Sequence, residues 1–172
     1  MNAFIAVMQL LVAAAFLSIP LVRHRYGATA TAGAQAELER QGVRPTVLAE
    51  HGMRFDAGGH ETAVPATVAA VMTALAVLNL AGSGHAPLLN VILQSIVLAG
   101  SCLILYSQVT ATRSVQAAFR RKGDPMLARI DVPALLKAAK DGFPAWTWTL
   151  QKVRHVVAFG ASILVLVAVF AA

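Results

Sequence analysis

The sequence predicts an all-α integral membrane protein with four transmembrane helices, and three observations carry that prediction. Four apolar runs have lengths near the ~20 residues that a helix needs to cross a ~30 Å hydrocarbon core. The chain of 172 residues is 58% hydrophobic and only 13% charged, whereas a soluble domain is about a quarter charged. All 14 Lys and Arg residues lie in two segments, five between the first and second runs and nine between the third and fourth. One membrane domain over 1–172 is expected, with spans at about 3–22, 63–81, 88–109 and 150–171 and polar loops at 23–61 and 110–149.

The first span, Ala3 to Val22, is interrupted by Gln9 and Ser18 and loosened near its end by Pro20. Its cations, Arg23 and Arg25, follow the apolar core, whereas a secretory signal peptide places them before it. A retained helix is therefore expected. In the loop that follows, Gln35 to Gln41 is built of good helix formers, and Gly42 suits the left-handed position that ends a helix. Thr46 is expected to cap a second short turn, Val47 to His51, closed by Gly52. Met53-Arg54-Phe55-Asp56 leads to a break at Ala57-Gly58-Gly59, after which Thr62 is expected to cap the second span.

The second and third spans form a hairpin around Ser83 to Pro87. Span two is alanine-rich, and Ala66, Ala70 and Ala74 recur every four residues, the spacing of a close-packed helix contact in lipid. Span three is the most polar. Asn90, Gln94, Ser101 and Gln108 follow at intervals of four, seven and seven, which places them on one stripe for helix–helix hydrogen bonds. Cys102, the sole cysteine, excludes an intrachain disulfide and reads as a small packing residue.

The second loop is strongly basic, with nine Lys and Arg against three Asp between Thr110 and Arg154. Asp131 is expected to cap a helix from Val132 to Asp141, with Gly142 in the C′ position. Val132, Leu135, Leu136 and Ala139 make an apolar face opposite Lys137 and Lys140, as in a helix lying among lipid headgroups. Phe143, Trp146 and Trp148 follow, as expected of an interfacial aromatic belt. Arg120, Arg121, Lys122, Lys137, Lys140, Trp146 and Trp148 are therefore the expected contacts to anionic lipid headgroups or to a partner. The fourth span completes the chain, with Lys152 and Arg154 reaching back to the headgroups.

Four crossings put both cationic loops on one side, and the positive-inside rule makes that side the cytoplasm. The expected topology is N-out, C-out, in a bacterial inner membrane. The segments Gln35 to Gly42 and Gln116 to Gly123 share Gln, Ala, Arg and Gly in register, and a proline follows each, at Pro45 and Pro125. They point to a 2+2 parallel repeat with a pseudo-two-fold axis along the membrane normal.

For chemistry, the sequence offers little. His51 and His60, near Glu50, Asp56 and Glu61, match no metal-ligand spacing. His24 and His155 near the same interface would be the residues for a bis-histidine haem. No phosphate loop, nucleophile elbow or intramembrane carboxylate pair is present, so neither an enzyme nor a cofactor is expected. The leading expectation is a non-catalytic accessory subunit of a larger membrane complex, with anionic lipid as a second partner and no nucleic acid. The alternatives are a small oligomeric transporter or channel lined by the span-three stripe, or the membrane anchor of a redox complex.

The segment Gln41-Gly42-Val43-Arg44-Pro45-Thr46-Val47-Leu48-Ala49-Glu50-His51-Gly52 is the nearest approach to a signature. With its Ala/Val/Arg-rich composition and four-span layout, the chain resembles small actinobacterial accessory proteins of mammalian-cell-entry (Mce) lipid importers, the lipid-uptake-coordinator type. That resemblance implies a partner built of permease and lipid-tunnel subunits, which this chain would stabilise or regulate.

Overall fold

A computed structural model describes residues 1–52 and 59–171, with the backbone alone for 59–61. The described residues form eight helices: α1 (Asn2–Arg40), α2 (Val47–Glu50), α3 (Gly59–Leu80), α4 (Ala86–Val109), α5 (Ala111–Lys122), α6 (Pro125–Ala128), α7 (Val132–Asp141) and α8 (Trp146–Phe170). Among the described residues there is no strand. Four helices, α1, α3, α4 and α8, are long and apolar enough to cross a membrane. The chain divides into two compact units: Met1–Leu21, Gly59–Ile104 and Trp148–Ala172 in the first, Val22–Gly58 and Leu105–Thr147 in the second.

The first unit contains the apolar parts of the four long helices. Val12, Phe16, Met72, Leu75, Val97, Ala158 and Ala161 share its core. Its outward positions are equally apolar, with Leu88, Ile96, Leu103, Val156 and Phe170 exposed. A helix apolar all round suits a surrounding of hydrocarbon, where only internally bonded backbone is tolerated.

The alanine contact expected on span two is not formed within this chain: Ala66, Ala70 and Ala74 are exposed. The buried side of α3 instead carries Ala69, Met72, Leu75, Ala76 and Asn79. Asn79 explains the choice. Its carboxamide must be kept out of hydrocarbon, and Ala76, Met72 and Ala69 lie on the i−3, i−7 and i−10 positions that turn inward with it. Cys102 is exposed on α4 rather than packed, since burying its neighbour Ser101 at 3% exposure rotates it about 100° outward.

The second unit is built from both polar loops, and here the structure corrects two expectations. Residues 35–41 are not a separate helix; α1 continues unbroken through Arg23 to Arg40, 39 residues in all. Nor does the apolar face of α7 lie on lipid. Val132, Leu135 and Ala139 are buried with Ala34, Leu38, Val47, Phe119 and Leu127, and Leu136 packs against that cluster. The amphipathic pattern was legible, but the partner of its apolar face is the end of α1 and the other loop.

Caps and close approaches determine the local geometry. Asp131 caps α7, accepting from the Ala134 N–H at 3.2 Å, and Asp124 caps α6 through the Met126 N–H at 2.8 Å. Thr46 occupies the N-cap position of α2, but its hydroxyl donates to Glu50 Oε1 at 2.7 Å and caps nothing. Thr62 lies inside α3, which starts at Gly59. Gly142 ends α7 with φ −71°, not in the left-handed form. It is needed for a different reason: a Cβ there would sit 2.5 Å from the Ala30 Cα.

Candidate functional site

Three buried carboxamides of the first unit meet in one place. Gln9 on α1, Asn79 on α3 and Asn90 on α4 are each at most 3% exposed. Their carboxamides form a closed network. Gln9 Nε2 donates to Asn90 Oδ1 at 2.7 Å, and Asn90 Nδ2 donates to Asn79 Oδ1 at 2.9 Å. Asn79 Nδ2 donates to Gln9 Oε1 and Asn90 Oδ1, both at 3.1 Å, and to the Leu75 carbonyl at 2.8 Å. Three helices are thereby joined where they meet the α3–α4 turn, by bonds that hydrocarbon cannot replace.

Above this network lies a cavity of about 300 Å³, with Asn79 and Asn90 in its wall beside Ser83, Ala86, Pro87 and Ala168. That volume is at the lower end of ligand-sized pockets. A second, much smaller cavity of about 10 Å³ sits at the other end of α4 and α8, lined by Ser101, Arg154, His155, Ala158 and Phe16. It has room for about one water. Between them, Gln94 on α4 and Ser162 on α8 are both fully buried. Both amide atoms of Gln94 and the hydroxyls of Ser162 and Ser101 have no hydrogen-bond partner.

Comparison with family models, with curated proteins and with solved structures found no match.

Three members of the polar stripe, Asn90, Gln94 and Ser101, lie buried on one side of α4, but Gln108 is exposed and belongs to the second unit. Gln9 and Asn79 complete the network although no stripe pointed to them. The available signal was their position, since each is a lone carboxamide near the same end of its span.

The residues expected to meet headgroups or a partner lie at the end of α5, in the C-terminal half of α7 and in the first turn of α8. Arg120 and Arg121 are exposed in the last turn of α5. Lys122 donates to the His51 carbonyl at 2.9 Å. Lys137 pairs with Asp141 at 2.9 Å, an ion pair that raises its pKa, while Lys140 is exposed. Trp146 meets Tyr26 edge-on at 5.9 Å, and the Arg25 guanidinium lies 5.8 Å from the same tyrosine ring centre. Trp148 is half-buried.

His51 is tied to the other loop, its Nε2 lying 3.0 Å from Asp124 Oδ2. The Met126 N–H and then the His51 ring hold the Asp124 carboxyl below its usual range. A further tie joins Gln41 to the backbone of Asp131, which donates to Gln41 Oε1 at 2.8 Å. Of the group around His51 and His60, Asp56 and the side chains of His60 and Glu61 lie outside the described residues. Among the described residues, no group of three or more His, Cys, Asp or Glu side chains is placed to hold a metal ion. His24, exposed, is in the second unit and His155, half-buried, in the first.

Proposed function

We propose that this chain is a non-enzymatic accessory subunit of a larger complex in a bacterial inner membrane, oriented N-out and C-out. The first unit anchors it, and the second presents a basic docking surface in the cytoplasm. One observation carries the reading: the two polar loops, far apart in sequence, share a single apolar core. Such a core supports both loops lying on one face of the bilayer, and with five and nine cations they mark that face as cytoplasmic.

The shared core also bears on what the cations do. With its apolar face satisfied internally, α7 has no need of lipid for stability, which leaves the charged surface for recognition. Arg120 and Arg121 are the best placed, adjacent and exposed at the end of α5. Gly42 and Gly123 end the two echoed segments with φ of +69° and +66°, which favours the proposed 2+2 duplication. The Mce-importer resemblance makes a lipid-transport assembly the first complex to look for.

The test is native mass spectrometry of complexes released from membranes in mild detergent, comparing wild type with Arg120→Glu/Arg121→Glu. Each basic residue near an acidic surface contributes about 1 kcal/mol, so losing two attractions should weaken association roughly 30-fold. A lone 18.0 kDa chain in the wild-type sample, or a complex indifferent to the double substitution, would refute the docking role.

A further inference from the structure

Unbonded polar atoms in the interior of a bundle are rare because each costs the hydrogen bonds it made with water. Among its described residues the first unit has four, and all of them lie on α4 and α8: Nε2 and Oε1 of Gln94, and the hydroxyls of Ser101 and Ser162. Serines within helices commonly satisfy themselves on the preceding turn's carbonyl, as Thr73 does on the Ala69 carbonyl at 2.8 Å in α3. Ser101 and Ser162 do not.

Their placement along the two helices is ordered. One cavity is lined by Asn90 and Ala168, the other by Ser101 and Ala158, so α4 and α8 contribute to both. Gln94 and Ser162 occupy the intervening turns of those same two helices. The roughly 300 Å³ cavity has room for several waters, and the 10 Å³ cavity for about one. Between them the side chains are closed over: Gln94 and Ser162 are 0% exposed, which leaves no room for a solvent molecule beside them in this conformation.

We propose that the seam between α4 and α8 is a gated path for water and small uncharged hydrogen-bonding solutes, captured here closed at Gln94. A small separation of the two helices would let solvent bridge the Gln94 amide to the two serine hydroxyls and join the cavities. Neutral solutes follow from the lining. The middle of the seam offers neutral amide and hydroxyl groups and no ionised side chain to replace the water that an ion of either sign would shed, and Arg154 at the Ser101 end further opposes cations. The path is independent of the docking role, because none of its residues lies in the second unit.

The experiment uses the full chain in its membrane with Cys102→Ala as background. Single variants Ser101→Cys, Ser162→Cys and Ile163→Cys are treated with methyl methanethiosulfonate, a small neutral electrophile whose thiosulfonate sulfur the thiolate attacks to form a methyl disulfide with release of methanesulfinate, and adduct formation is followed by intact mass. Serine to cysteine is nearly isosteric and retains Gln94. Ile163 is half exposed on the outer face of α8, and a cysteine there has no water to take its proton. Hydration of the seam should make both serine-derived cysteines react roughly 100-fold faster than Ile163→Cys, the ratio set by a thiol pKa about two units apart. If either reacts within about threefold of Ile163→Cys, the seam is dry and the proposal fails. Failure here would leave the complex-assembly result unaffected.

Discussion

Replacing Gly142 by alanine isolates the close approach between α1 and α7. A Cβ at Gly142 would lie 2.5 Å from the Ala30 Cα, 2.7 Å from the Ala30 nitrogen and 2.9 Å from the Thr29 carbonyl oxygen. All three neighbours are backbone atoms in the middle of a continuous helix, so no side chain can swing aside and the two helices must part. The opposing effect is small. Gly142 has φ −71°, which alanine adopts freely, and alanine there would gain only about 0.4–1 kcal/mol from the stiffer unfolded chain. Overpacking of this kind costs about 1–3 kcal/mol, so destabilisation wins.

The assay is hydrogen exchange on peptides covering 132–142, because local opening of α7 exposes its amides. A net loss of about 1–2 kcal/mol should accelerate exchange roughly 5- to 30-fold. Gly100→Ala is the control, since a Cβ at Gly100 meets nothing within 4 Å. Exchange in Gly142→Ala within twofold of wild type would refute the argument that backbone contact holds α7 on α1.

Two further outcomes follow from the polar contacts. Asn79→Ala removes the donor to Gln9 Oε1 and the acceptor of Asn90 Nδ2. Leaving those buried atoms unbonded should cost about 1–3 kcal/mol, read as a lower midpoint in a mixed-micelle unfolding titration; an unchanged midpoint would show that the network contributes nothing. Asp124 tests pH dependence. Its folded pKa is depressed below the ordinary value of about 3.9, so its contribution is complete above that value and is lost as pH falls through the folded one. The apparent melting temperature should therefore drop more between about pH 5 and pH 3 in wild type than in Asp124→Asn, and equal drops would contradict the assignment.

Much of this architecture follows from one-dimensional signals. Runs of about twenty uncharged apolar residues must become helix in a bilayer, since no other open structure satisfies its own backbone there. Hence α3, α4 and α8 lie within a few residues of the expected spans. The Asp131 cap and the period of Val132, Leu135 and Ala139 placed α7 at Val132–Asp141 to the residue. These are local matters of length, capping and periodicity.

What required the folded chain was the choice of partner for each face. An amphipathic pattern states that one side of α7 must leave water, and lipid, another protein or the same chain would each satisfy it. Only packing showed Leu135 against Leu38 and Phe119 in a common cluster. Likewise, alanine spacing on α3 could not say which stripe turns inward. Asn79 decided that, because a carboxamide in hydrocarbon without partners is dearer than an exposed alanine, and its partners Gln9 and Asn90 come from 70 residues before and 11 residues after it in sequence. Composition and period determine what each segment must avoid; which atoms it finally meets is a property of three dimensions.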